Sequence, residues 1–153
     1  MTYDAFTAER IKHLELIQNV IGRLGNDAFL VKGWAVTVEG VFLGLAVQNH
    51  ASGLAVVALI PSLAFWGLDT YFLRSERLFR ALYDEVRKQS PAVEPFFMAA
   101  TTETFVERVS TSEGTRNIGS RWHTAWRPTL WVFYLALIAA ALVVALVVCH
   151  GHR

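Results

Sequence analysis

Four groups of residues in this 153-residue chain have types and spacings that could do chemistry. The first is Glu39, a carboxyl in the middle of an apolar run, with Lys32 near the start of that run and Asp69 late in the next one. An ionisable side chain at the centre of a bilayer costs at least about 2.5 kcal/mol, so it needs a partner, water or a proton. The second is Arg116 and His123, with six residues between them. A guanidinium and an imidazole placed together can hold and process a phosphate. The third is Cys149, His150 and His152, with His50 as a possible fourth nitrogen ligand of the kind zinc takes. The fourth is the set Arg108, Arg116, Arg121 and Arg127, candidates for a phosphate or nucleotide.

Each group has a plainer reading. The order Cys-His-Gly-His is not a standard ligand spacing, and a chain end frays, so neither a metal nor a cofactor is expected. Arg116 and His123 lie close to a membrane entry, beside Trp122, where interfacial anchoring explains them as well as phosphate chemistry does. The arginines are interleaved with glutamates, which neutralise much of their field, and no direct nucleic-acid readout is expected. Glu39 has two readings of equal weight. It either lines a pore in an oligomer, where acidic rings favour cations, or stays protonated and bonded to a neighbour. No nucleophile triad, P-loop or dinucleotide fingerprint is present, so no enzyme is expected.

The elements that must position these residues are three apolar runs. Ala28–Val47 and Leu54–Leu73 are separated by the short joint Gln48–Gly53, and Thr129–Val148 has no charge and no proline. Each is about 20 residues, matching a hydrocarbon core of ~30 Å at ~1.5 Å per residue. The chain is 54% hydrophobic and 18% charged, more apolar than soluble domains. These features predict an all-α integral membrane domain with three transmembrane helices, the first two forming an antiparallel hairpin.

Lys and Arg are absent from the joint, but four lie in Met1–Lys32 and nine in Arg74–Arg127. The positive-inside rule then puts the N-terminus in the cytoplasm and the C-terminus outside. The mixed charges of the first 25 residues predict no cleavable signal peptide.

Outside the spans, residues 3–24 predict an amphipathic helix, with Leu14, Ile17, Ile21 and Leu24 on one face. Its mixed-sign polar face favours packing on protein over lying in lipid. Gly25-Asn26 offers a turn before the first span. Pro61 predicts a kink in the second. That second helix is expected to continue as a cytoplasmic stem to about residue 89, with Leu78, Leu82 and Val86 as a stripe that one chain barely covers, and with Glu76–Arg80 and Asp84–Lys88 as i,i+4 pairs. Another helix is expected within 91–110, with Pro95 in its first turn and Phe97, Phe105 and Val109 inward. A loop follows over 110–121, within a cytoplasmic segment 91–127.

Two stripes of small residues predict close helix approach: Gly33, Gly40 and Gly44 in the first span, and Ala136, Ala140, Ala141 and Ala145 in the third. Asp69 falls at the depth of Lys32 in an antiparallel hairpin, which predicts an ion pair at the inner boundary. Trp66, Tyr71, Trp126 and Trp131 predict an inner aromatic belt. The single Cys149 predicts no internal disulfide.

The stretches FLVKGWAVTV (29–38) and FWGLDTYFLRSERLFRALYDEVR (65–87) resemble a widespread family of small bacterial multi-span membrane proteins. The likeness runs from about residue 10 to 90 and rests on LKGW-like and LDxYxLRxERLFRxLY-like signatures. Such proteins look like the SLATT-type effectors of antiphage modules and the small membrane accessories of RNA-targeting CRISPR systems. The resemblance implies a bacterial inner-membrane protein, in which a soluble defence protein or nucleotide signal on the cytoplasmic side opens or assembles a homo-oligomeric pore or ion channel. The spacing of Arg116 and His123 is similar to the R-x4-6-H motif of HEPN ribonucleases, which implies a membrane-tethered ribonuclease accessory as a further alternative. Two others remain: a membrane scaffold that recruits a soluble partner, and a transporter subunit, which would need a second chain or a large oligomer to supply more than three spans.

Overall fold

The computed structural model describes residues 8–88, 93–94, 96–112 and 128–151. Among them the regular structure is entirely helical: α1 (Ala8–Gln48), α2 (Ser52–Val57), α3 (Leu59–Arg87), α4 (Glu103–Ser112) and α5 (Pro128–His150). Three helical stretches are long and apolar enough to cross a membrane: Ala8–Gln48, Ser52–Arg87 and Leu130–His150. The chain divides into two compact units. One comprises residues 28–71 and 124–153, the other residues 1–27 and 72–123.

The first unit contains the apolar runs. Its surface is apolar, with Phe29 73% exposed and Ile60 and Val147 open as well, a surface suited to lipid rather than water. Its inward face is a seam of small and polar side chains. On α1 these are Ala28, Val31, Ala35, Glu39 and Ala46, and on α2 and α3 they are Ala55, Ala58, Ser62 and Asp69. The spacing of three and four residues keeps each set on one helix face. α5 contributes Leu130, Tyr134, Ala141 and Val148, again three to four residues or one heptad apart, and α2 packs against α5.

The joint between α1 and α2 closes α1 with a Schellman arrangement. Ala51 N–H donates to Ala46 O at 3.0 Å, and His50 N–H to Val47 O at 3.3 Å. The left-handed position falls on His50, at φ 51°, rather than on glycine.

Proline acts where its missing donor dictates. Pro61 cannot donate to the carbonyl four residues back, Val57, and α2 ends at Val57. The helix resumes at Leu59 after a one-residue interruption at Ala58, and the next backbone bond, Ser62 N to Ala58 O, is stretched to 3.4 Å.

The second unit has its own core. Ile17 of α1, Leu78, Leu82 and Val86 of α3, Ala100, and Phe105 of α4 are buried together. Leu14, Ile21, Phe79, Tyr83, Phe97 and Met98 pack around them. The amphipathic N-terminal segment therefore lies on protein. The stem stripe is covered within the chain, because Leu78 and Leu82 are fully buried, so it gives no ground for an oligomer.

Arg10 fastens this core at the stem's end. Its guanidinium donates to Val86 O (2.6 and 3.0 Å) and Arg87 O (2.5 Å). A cation on the last carbonyls of a helix satisfies orphan acceptors and complements the dipole. His13, also buried, bonds Phe97 O at 2.9 Å.

Two local expectations change. Gly25-Asn26 makes no break, since α1 runs through both residues. A glycine costs a helix only about 1 kcal/mol, and the flanking turns on both sides are held by packing. The helix expected within 91–110 begins only at Glu103. Phe96 takes φ 60°, a left-handed conformation that α-helix cannot include, and Phe97 N donates to Glu94 O in a turn. On the stem, Arg80 pairs with Glu76 at 2.6 Å, as expected, and Asp84 also lies 3.5 Å from Arg87.

Candidate functional site

The seam of the apolar unit holds two polar clusters. In the first, Lys32 Nζ lies 2.6 Å from Asp69 Oδ2. Asp69 is fully buried, whereas the Lys32 side chain keeps 27% of its exposure. Its aliphatic stem covers apolar surface while the ammonium reaches the carboxylate. Tyr134 of α5 completes the cluster. Its hydroxyl is 3.3 Å from Asp69 Oδ2 and 3.2 Å from Phe65 O, one proton shared between two acceptors, which fits two long bonds. The Tyr134 ring stacks on Trp66 at 6.1 Å between centroids. Trp66 is therefore half-buried packing, while Tyr71 is the more exposed aromatic of the two.

The second cluster is built one heptad further along both helices. Seven residues from Lys32 stands Glu39, and seven residues back from Asp69 stands Ser62. Glu39 is 1% exposed, and its Oε2 is 2.6 Å from Ser62 Oγ. Ser62 Oγ is also 3.0 Å from Ala58 O, the residue at the helix interruption. One further heptad toward the joint are Ala46 and Ala55, both fully buried. The antiparallel hairpin thus repeats every ~10.5 Å along its axis: an ion pair, a carboxyl–hydroxyl pair, then two alanines.

Two carboxyl oxygens in the seam, Glu39 Oε1 and Asp69 Oδ1, are buried without a hydrogen-bond partner among the described residues. The clusters differ in how they meet that cost. Asp69 has an ammonium in contact and a second donor. Glu39 has one hydroxyl, and the lysine nearest in sequence is committed to Asp69.

The small-residue stripes are placed unevenly. Gly33, Gly40 and Gly44 all face outward, and a Cβ added at any of them would meet nothing within 4 Å. The close approach inside the chain uses the alanines on the other face of α1. In α5, Ala141 is buried and Ala145 partly so, while Ala136 and Ala140 point outward.

Compared with known proteins, the chain matches no family model, no curated protein and no solved structure. What it does has to be argued from its own geometry.

Of the remaining candidates, Cys149 and His150 stand apart from the seam. Cys149 is a free, exposed thiol at the end of α5, and His150 bonds Leu146 O of its own helix at 3.0 Å. Among the described residues no three His, Cys, Asp or Glu side chains gather into a metal-holding group, and His152 lies outside the described residues. Arg116, Arg121, Trp122, His123, Trp126 and Arg127 also lie outside them, as do the side chains of Arg108 and Val109.

Sequence reasoning missed four participants: Ser62, Tyr134, His13 and Arg10. Ser62 carried a readable signal. The depth matching that pairs Lys32 with Asp69 also pairs Glu39 with Ser62. Tyr134 offered none beyond being an aromatic with a polar end inside an otherwise apolar span.

Proposed function

We propose that the chain is a multi-pass effector of the bacterial inner membrane that forms or opens a pore, or otherwise perturbs the bilayer, as a homo-oligomer answering a cytoplasmic signal. Antiphage defence is the setting that the family resemblance implies. The observation that carries this reading is Glu39: a carboxyl held in the middle of a membrane hairpin by a single hydroxyl. Such a group is costly to keep in an apolar span if the span is only an anchor. The arrangement described is then the resting state, with Glu39 closed inside its own chain.

Two further features support it. α1 and α3 each continue as helix from an apolar span into a polar segment, where a soluble defence protein or a nucleotide could act. The outward glycine face of α1 offers a second copy a close approach. In this reading the N-terminus and the polar segment are cytoplasmic, and Lys32–Asp69 fixes the hairpin.

The test is ion flux through vesicles reconstituted with the purified protein. The pore reading expects Glu39→Gln and Glu39→Ala to alter conductance. Unchanged conductance in both removes the pore-lining role.

A second reading, a membrane scaffold recruiting a soluble partner, is favoured by the burial of Glu39 against Ser62 within one chain. It expects Glu39→Gln to be harmless and substitutions on the stem surface to abolish activity. The ribonuclease alternative expects His123→Ala to remove activity while membrane assembly persists.

A further inference from the structure

We infer that Glu39 is an intramembrane proton site: it carries its proton, donates it in a hydrogen bond to Ser62, and so ties its protonation to the α2–α3 interruption. The argument is a count of hydrogens. Ser62 Oγ has two neighbours within hydrogen-bond distance, Glu39 Oε2 at 2.6 Å and Ala58 O at 3.0 Å. A serine hydroxyl has one hydrogen and two acceptor lone pairs. Ala58 O is a carbonyl and can only accept. If Glu39 is a carboxylate, it too can only accept, and one hydrogen must serve two acceptors, which the short 2.6 Å contact to Glu39 fits poorly. If Glu39 is a neutral acid, its O–H donates to Ser62 Oγ and the Ser62 O–H donates to Ala58 O, and both contacts are made.

The other carboxyl oxygen argues the same way. Glu39 Oε1 is buried with no partner among the described residues. In a neutral acid that atom is a carbonyl oxygen, modestly costly to leave bare. In a carboxylate it bears half of a full charge in an apolar surround, a far larger cost. Among the described residues no cation pairs with it. Besides Glu39, the ionisable groups of the apolar unit among the described residues are Lys32 on α1, His50 in the joint, Asp69 and Tyr71 on α3, and Tyr134, Cys149 and His150 on α5. Lys32 and Tyr134 are both turned to Asp69 Oδ2.

The consequence lies at Ala58. Pro61 leaves the helix interrupted there, and the backbone bond Ser62 N–H to Ala58 O is stretched to 3.4 Å. The Ser62 hydroxyl supplies a second tie to the same carbonyl. When Glu39 gives up its proton, the hydrogen placed to meet the new carboxylate, among the described residues, is that of Ser62. The hydroxyl then turns from Ala58 to Glu39, and the interruption keeps only its stretched backbone bond. The proton on Glu39 thus holds the joint between α2 and α3. This does not depend on whether the chain conducts ions.

Infrared spectroscopy of the full chain in lipid vesicles at neutral pH tests it. A neutral carboxylic acid has a carbonyl-stretch band that carboxylates lack. The expected result is such a band in the unmodified chain, absent in Glu39→Gln and moved to higher frequency in Ser62→Ala, where the hydrogen bond from Glu39 is lost. If no band disappears in Glu39→Gln, Glu39 is ionised and the inference falls. It falls equally if the band is lost in Asp69→Asn and kept in Glu39→Gln. Should Glu39→Gln fail to insert, Ser62→Ala decides by itself: a band that stays where it was overturns the inference. Conductance plays no part in these outcomes, so failure here is distinct from failure of the pore reading.

Discussion

The two polar clusters of the membrane hairpin share a seam and a register, one heptad apart, and they solve opposite problems. Lys32–Asp69–Tyr134 buries a charge beside its counter-charge and adds a hydroxyl donor from a third helix. Glu39–Ser62 buries a carboxyl with no counter-charge among the described residues and meets it with a single hydroxyl. The first cluster looks after itself as long as both ions are present. In the second, both contacts of the Ser62 hydroxyl carry their own hydrogen when the carboxyl contributes one. A buried ion pair is a structural fixture, whereas a buried acid with one neutral partner is a group whose state can change.

That contrast can be broken most severely at the ion pair. Lys32→Met leaves Asp69 fully buried without its cation, and removal of one partner of a buried pair typically costs about 3–5 kcal/mol. A drop of that size is expected in denaturant unfolding of the detergent-solubilised protein. Replacing both partners, Lys32→Met with Asp69→Leu, is expected to recover most of the loss, because no lone charge remains. A double variant as unstable as the single one would show that the pair does more than neutralise itself.

Smaller effects sharpen the comparison. Tyr134→Phe removes one shared hydroxyl bond and is expected to cost about 0.5–1.5 kcal/mol in the same unfolding measurement. Glu39→Gln keeps the shape and supplies an N–H for Ser62, so a change below about 1 kcal/mol is expected. A loss at Glu39→Gln as large as at Lys32→Met would mean that the two clusters are alike and that the contrast is false.

Much of this architecture was legible from the chain alone, for physical reasons. A bilayer fixes the length and polarity of whatever crosses it, so the three spans follow from apolar runs of about 20 residues. An antiparallel hairpin with a short joint fixes relative depth, which is enough to bring Lys32 and Asp69 together. The same depth rule reaches Ser62, but a lone serine in an apolar run draws no attention beside a glutamate.

Other features depended on tertiary context. Gly25-Asn26 has the composition of a turn, yet nothing local decides between a turn and a tolerated helical glycine. The glycine stripe of α1 has the spacing of a packing face, but the chain packs α1 through Ala28, Ala35 and Ala46 instead. Spacing identifies a face that permits close approach without saying which helix takes it. Arg10 sits on the polar side of an amphipathic helix like any surface arginine. Its role at the stem's end comes from a chain reversal 76 residues away.

The most direct test of the proposed pore-forming oligomer is the mass of the purified protein in lipid nanodiscs, alone and with Gly40→Leu. The proposal predicts a closed ring of several copies, reduced to smaller species by a bulky side chain on the outward glycine face. A monomer or dimer in the unmodified protein contradicts it, because so few three-span subunits leave no room for a water-filled path between them.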